Sequence, residues 1–372
     1  MEIENMTDKQ FDVLMNSIIQ IVKDIVFAIS FCTVFILMFS SCKELYPITK
    51  TAEGYTFEVD ENQKVTLIKI DNSTEIVEIP SKISSYDVKK LGGDRVIGGI
   101  LFSMTYDGLF EGDSTVKEII IPEGVEIVGD QAIKDCPNLE KIAMPSTLTD
   151  IEIDDCSSLY KIDIPANVTN FSILRCDNLN EIKIADGNTL IEYFCFQDCS
   201  SLKSIILPNR IEQIPDLALS RCYSLETVSI PQSVKSIGDD AFEWCGALRE
   251  IKLPENLESI GLYAFRDCDS LKSIVLPQKI TSIECGTFYG CGSLVELDLP
   301  TNIEVIVNSA FKDCTSLERI NIYEKCTQIG DTAFEGCDKL TIYGIKGSYS
   351  EQYAKKHNIP FEKLDTTIQS VN

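Results

Sequence analysis

Apolar and polar positions along this chain alternate in short bursts that return every 23 residues. In "LKSIVLP" (271–277) Ile274 and Leu276 alternate with Ser273 and Val275, the period-two pattern of a half-buried strand. Pro277 has no N–H to give and closes that strand, as Pro122, Pro145, Pro165, Pro208, Pro231, Pro254 and Pro300 close theirs. A "V-x-x-I" pair then turns inward again. "IGDDAF" (237–242) predicts a turn followed by a single helical or 3-10 turn, with Ala241 and Phe242 facing the core.

The burst "LPENLESIGLYAFRDCDSLKSIVLP" (253–277) and its successor "LPQKITSIECGTFYGCGSLVELDLP" (276–300) are one unit written twice. Cys136, Cys156, Cys176, Cys199, Cys222, Cys245, Cys268, Cys291, Cys314 and Cys337 mark it at spacings of 20, 20 and then seven times 23. Asp113 stands 23 residues before Cys136 and opens one more unit with the cysteine replaced. A fixed period in this range predicts a solenoid. One unit buries about eight apolar side chains, several worth roughly 1.5–3 kcal/mol each. Ordering its backbone costs about 1–2 kcal/mol per residue. A lone rung therefore cannot fold. Each must bury its flat faces on its neighbours.

At these residues the chain resembles the BspA-type leucine-rich repeat family of cell-surface proteins. The resemblance covers 109–346 and implies a leucine-rich repeat solenoid. It would have one short parallel β-strand per rung of 20–23 residues, with turns and short helical or 3-10 segments opposite, capped at both ends. "STEIVEIPSKISSYDVKKLGG" (73–93) looks like the family's N-terminal lead-in, within a segment 43–108 that carries an insertion at 92–106. The Ile-Leu-Phe run of that insertion reads as a flap over the first rung. The last segment, 347–372, looks like the C-terminal cap, with "SEQYAKKHN" as a short amphipathic helix and "IPFEKL" as a closing strand. The rungs ending at Cys156 and Cys176 depart from the pattern, having lost three residues and the whole "GDxAF" turn.

Residues 1–42 read separately, as a signal peptide with a lipobox. "IVFAISFCTVFILMF" (25–39) is short for a membrane span and suits a signal h-region; "FSSC" ends at Cys42, the expected lipid attachment site. An uncleaved anchor and a buried helix are the alternatives. Residues 1–24 carry five acids against two lysines, contrary to a signal's positive start, which favours Met15 over Met1 as the first residue.

Composition narrows the function classes. Of 372 residues 44% are hydrophobic, which excludes a mainly disordered chain. The formal charge of −25 argues against nucleic acid, whose phosphates need clustered Lys and Arg. His357 is the only histidine, so histidine acid–base catalysis and His-rich metal sites are not expected. The one-per-rung cysteines predict a column of reduced, inward thiols, each acting as a small apolar residue, because parallel Cβ vectors suit a disulfide poorly. Cys195 takes the alanine position and Cys326 the valine position, both core. Cys285 is the thiol expected at the surface. A serine in place of Cys245 would bury a hydroxyl with no assured partner. No C-x-x-C, G-x-S-x-G, Walker or GxGxxG motif is present, and the pairs Asp154-Asp155 and Asp239-Asp240 read as turn formers. Neither an enzyme, nor a metal site, nor a cofactor is expected.

What remains is surface. The outward strand positions are mostly charged or polar, with opposite charges in adjacent rungs, and Ile206 and Val275 stand out among them. Lys252 lies between these two. Tyr223 and Trp244, the only tryptophan, occupy a turn edge. The lipobox makes an exported, lipid-anchored surface protein the expectation, and the family resemblance implies adhesion to host matrix proteins or to other cells. The strand face over 200–300, flat and rigid, is the expected contact surface for such a protein partner. Candidate contacts are Ile206, Lys252 and Val275, with Tyr223 and Trp244 joining if the interface wraps the edge. A spacer without a dedicated ligand is the alternative.

Overall fold

The computed structural model describes residues 48–71, 73–92 and 108–364. The expected leader with Cys42, and residues 93–106 of the insertion, lie outside these. From Lys50 onward the chain forms one unit. It is a β-solenoid whose parallel strands stack one rung per repeat, as the 23-residue period predicts.

Each rung ends at its cysteine, where a turn leads into the next. The Cys222 carbonyl accepts the Leu225 N–H at 2.9 Å, and the same Cys-x-x-Leu turn recurs through the array. A strand follows, with its isoleucine in the core. Ser204–Ile206 pairs with Thr227–Ser229, and Glu296–Asp298 with Arg319–Ile322, in unbroken register. The proline then closes the strand and starts a second turn, as where Val234 N–H donates to the Pro231 carbonyl at 3.2 Å.

Two features differ from the sequence-based expectation. Each rung carries two strands instead of one. The second holds the inward residue of "V-x-x-I", as in Gln213–Ile214, Ser236–Ile237 and Ser259–Ile260, which pair in sequence. The "GDxAF" segment is not a helical turn. It is two overlapping turns, Glu243 N–H to Asp240 O and Cys245 N–H to Phe242 O, both 3.1 Å. Left-handed backbone at Asp240 (φ 53°) and Trp244 (φ 60°) bounds these turns and prevents helix from propagating. In the two shortened rungs the missing turn is replaced by a longer second strand. Asp150–Asp154 and Asn170–Leu174 pair over five residues.

Strands Ile76–Glu78 and Tyr86–Leu91, within the expected lead-in, already run parallel with Glu118–Ile120 and with Ile127–Lys134. Ahead of them an antiparallel hairpin, Tyr55–Val59 with Lys64–Ile70, covers the first rung. At the other end helix α1 (Tyr349–His357) is capped by Ser348 and stopped by Asn358 in a left-handed turn (φ 57°), and Phe361–Lys363 closes the sheet on Thr341–Gly344. Cap helix and closing strand stand where the sequence placed them.

Two columns run through the core. Phe242, Phe265, Phe288, Phe311 and Phe334 stack at 5.2–5.6 Å with interplanar angles of 2–10°, and Tyr353 of α1 meets the last ring edge-on at 6.0 Å. Beside them the thiols of the described residues are free, and of these all but Cys285 are buried. They are more than small apolar residues. Cys245, Cys268, Cys291, Cys314 and Cys337 each donate S–H to a carbonyl of the preceding rung, at 3.0–3.2 Å. The Phe242 carbonyl thus accepts the Cys245 N–H of its own rung and the Cys268 thiol of the next. Cys156 and Cys176, whose rungs lack the "GDxAF" turn, donate instead to carbonyls of their own rung, those of Asp154 and Leu174, at 3.6 and 3.4 Å. Burial pushes the Cys199 thiol up to about 12 and holds those of Cys222 and Cys268 well above the usual thiol range. They stay protonated donors at neutral pH.

Serine at Cys245 therefore does have a partner, the Leu219 carbonyl, which the sequence did not reveal. Cys326 has only a long contact to Gln328 O at 3.7 Å. Cys245→Ser should cost about 1 kcal/mol and Cys326→Ser about 2–3 kcal/mol. Urea denaturation of the two variants checks this; the reverse order would remove the thiol's role as donor. Alkylation of native protein should label Cys285 first among the rung thiols, and the others only after denaturation.

Candidate interaction surface

The strand face presents one column per outward position. Ile206 is in register with Ser229, and the 23-residue period continues that column through Lys252 and Val275. Ile206 and Val275 therefore stand about 14 Å apart, three rungs at roughly 4.8 Å each. They are 76% and 83% exposed, while the isoleucines beside them in the same strands are buried. Further along the same face, at both ends of the array, charges meet partners in the adjacent rung. Lys141 reaches Glu118 at 2.6 Å, Lys161 reaches Glu181 at 3.9 Å, and the Arg319 guanidinium lies 4.0 Å above the Tyr343 ring. Among the described residues Lys252 has no ion-pair partner. The structure thus aligns Ile206, Lys252 and Val275 in one column. Tyr223 and Trp244 lie at the edge leading into the strands.

Trp244, 40% exposed, occupies the left-handed position immediately before the rung cysteine. That column is Asp198, Arg221, Trp244, Asp267, Gly290, Asp313 and Gly336, each with φ between 55° and 79°. Aspartate and glycine tolerate this backbone, whereas a tryptophan there carries strain of about 1–3 kcal/mol. Beside it the Arg266 guanidinium lies 5.6 Å from the Tyr263 ring and 5.3 Å from Tyr289, and is paired to Glu243 at 3.2 Å and Asp267 at 3.1 Å. The sequence reading passed over this Tyr–Arg–Tyr cluster. The signal was present in Tyr263, which breaks a column that otherwise reads Leu217, Asp240, Gly286 and Ser309.

The acidic pairs resolve differently from one another. Asp239 Oδ1 accepts the Leu262 N–H at 2.7 Å and Asp240 is left-handed, so both are turn formers as expected. Asp155 is too (φ 52°), but Asp154 is a buried strand residue. Desolvation raises the Asp154 carboxyl's pKa, opposed by Arg175, which bonds it directly, and by Lys134. In a shortened rung the aspartate has moved from turn to strand end. No group of His, Cys, Asp and Glu able to hold a metal occurs among the described residues.

One junction interrupts the array. The rung 177–199 has Ala185 where others have proline, and Asn188 at the inward position held elsewhere by Val168, Ile211, Val234 or Leu257. Asn188 is exposed, and Arg210 of the next rung is buried nearby instead. Its guanidinium donates to the carbonyls of Val168 (2.8 Å), Thr189 (3.3 Å) and Pro165 (3.3 Å), with no partner on Nε. Burial lowers its pKa and Asp186 opposes that shift. Here both strand columns stop at once: neither Glu181–Ile184 with Ser204–Ile206, nor Tyr193–Cys195 with Gln213–Ile214, is joined by a ladder. Ile182 and Ile184 are only partly covered beside a cleft of about 690 Å³, whose charged lining is Lys161, Lys183, Asp163, Glu181 and Asp186. Sequence analysis did not find this cleft.

A repeat of two strands, thiol column and aromatic column over this span is matched by the model of the BspA type leucine rich repeat region, in six copies across 105–174, 171–283 and 235–355. The chain belongs to the BspA-type leucine-rich repeat family. No curated protein sequence matches it significantly. Solved structures agree in fold. The pneumococcal vaccine antigen PcpA aligns over 86% of this chain and 99% of its own, at 16% identity and TM-score 0.52. A leucine rich cell surface protein from Faecalibacterium prausnitzii covers 83% and 97% at 24% identity, TM-score 0.43. A leucine-rich repeat protein from Bacteroides ovatus covers 85% and 100% at 24% identity, TM-score 0.46. The BspA-type scaffold found here is one suited in general to protein–protein contact. Its Trp244 supplies a test: Trp244→Gly should raise stability by about 1 kcal/mol by relieving the left-handed backbone. Thermal denaturation measures this, and a loss of stability would mean that the ring's packing outweighs its strain.

Proposed function

We propose that this chain is an exported surface protein, held at the membrane by lipid on Cys42, that binds a protein on a host or neighbouring cell through its strand face. It is a binding protein and not a catalyst. The observation that carries the reading is the pair Ile206 and Val275: two large aliphatic side chains, the most exposed of their kind among the described residues, in one column of a largely polar face. Lys252 between them, free of ion pairing, supplies a charge that a partner can meet. A sheet face holds these side chains at fixed pitch, which lowers the ordering cost of binding. Family membership and surface-protein neighbours support export.

Two measurements test this. A variant carrying Ile206→Glu, Lys252→Glu and Val275→Glu, with an unchanged melting transition, should lose at least about tenfold in adherence to cells or matrix, the loss of one or two hot-spot contacts. Full adherence would leave the molecule as a spacer or move its site to the Trp244 edge. Intact-mass analysis of membrane-extracted protein should show a diacyl or triacyl Cys42 as the first residue; peptides from 25–41 in the mature protein would rule the lipid anchor out.

A further inference from the structure

We propose that the turn edge around Trp244 is a second contact surface, one that takes an arginine-bearing segment of a partner protein, with the guanidinium on the indole face and carboxylates beside it. This goes beyond the strand-face reading and does not depend on it.

Leu217, Tyr223, Trp244 and Leu262 are exposed in the turns that lead into or out of the rung cysteines. The fold has least reason to keep Trp244, since its backbone is left-handed and glycine stands at the same place at Gly290 and Gly336. The ground in front of it is open. Beyond its chain neighbours, a Cβ at Gly246 would have only Asp269 Oδ2 within 4.0 Å. Ser270 N–H donates to Gly246 O at 3.2 Å, which sets Asp269 beside Gly246 one period on. On the far side a Cβ at Gly292 would lie 3.9 Å from Asp269 Oδ1. The Asp269 carboxylate is thus flanked by two residues without side chains. Among the described residues it has no ion pair and no hydrogen bond.

Charge selects the occupant. In the turn segments 238–246 and 261–270 five carboxylates, Asp239, Asp240, Glu243, Asp267 and Asp269, stand against one cation, Arg266. Burial raises the Asp240 carboxyl's pKa, and Glu243 and Asp239 add to it. Burial also raises that of Asp267, opposed by Arg266 and reinforced by Asp269. An incoming cation relieves this crowding, whereas an anionic partner or membrane surface would add to it. Arginine fits better than lysine, and Arg266 shows why. Its guanidinium lies near the Tyr263 and Tyr289 rings while pairing with Glu243 and Asp267. A planar fork can stack on a ring and bond a carboxylate together, which an ammonium does less well. Among the described residues no cation lies over the Trp244 ring. The edge holds one arginine on its tyrosines and leaves the same pairing unfilled at its tryptophan.

The test uses the full chain and three fluorescent, end-blocked heptapeptides in which serine alternates with arginine, lysine or glutamate. Anisotropy titration at low salt should show saturable binding of the arginine peptide, about fivefold tighter than the lysine peptide, and none of the glutamate peptide. A cation meets a chain of charge −25 at many places, so dependence on Trp244 is the criterion. As the only tryptophan, Trp244 reports its own occupancy, and its emission should change over a titration with unlabelled arginine peptide. Trp244→Gly should weaken that binding about tenfold. Asp269→Ser, which puts there the residue its column carries at Ser200, should weaken it about threefold. The triple strand-face variant should bind the peptide as the parent does. Unchanged emission, an affinity unmoved by Trp244→Gly, or equal affinity for the lysine peptide would overturn the inference. Loss of adherence by the triple variant, with no Trp244-dependent peptide binding, would also overturn it and leave the strand-face reading standing. Peptide binding together with full adherence of that variant separates the two the other way.

Discussion

A phenylalanine of the column Phe242–Phe334 has its ring partners in the rungs above and below it and not in its own. Phe265 is covered above and below by Phe242 and Phe288, at 5.2 and 5.6 Å, and the same holds for the thiol beside it. Every buried group must therefore be matched by its counterpart one period away. That requirement makes 23 residues, and not any local propensity, the quantity the chain conserves along its length. It also explains the caps. Phe334 has no successor, so α1 turns Tyr353 onto it, with His357 stacked behind at 4.2 Å. At the N-terminal end the hairpin of Tyr55–Val59 and Lys64–Ile70 does the corresponding work.

The thiol column shows how little freedom a rung has left. Each "AF" carbonyl must end a turn and also face the next rung. Its second lone pair would be buried without a donor there, and the cysteine of the following rung provides one that is small enough to fit. Alanine or valine would fill the space and give nothing to that carbonyl. In the shortened rungs the thiols of Cys156 and Cys176 turn to carbonyls of their own rung, Asp154 and Leu174, while the Ile173 carbonyl still accepts the Cys199 thiol of the next rung.

These facts decide what could be read from the sequence. Period, strand residues, core identity and C-terminal cap were legible because they depend on residue type at a fixed offset, and ten cysteines repeat the message. The second strand was not, since two residues such as Ser236–Ile237 are too short to show alternation. The donor role of the thiol was hidden because it depends on a carbonyl 26 residues away. Of the candidate surface, Ile206, Lys252 and Val275 could be placed on one face from the period alone. The cleft could not. It arises from Asn188 and Arg210 jointly, one failing to fill a space and the other filling part of it from the next rung.

A repeat also supplies its own reference state. Rungs 276–346 keep apolar, left-handed and turn positions close to the consensus, and they stack without interruption in the aromatic column. The departures gather between 180 and 275: Asn188, a buried Arg210, exposed Ile206 and Val275, Tyr263, and a tryptophan on left-handed backbone. None improves packing, and several cost stability, since an arginine without a carboxylate and a strained Trp244 are both worse for the fold than the residues their columns otherwise use. Departures from local consistency that bring no structural gain are characteristic of residues retained for contact with something else. Stability in this protein is set by how faithfully a rung copies its neighbour, and it is lowered along the stretch where the copying is broken.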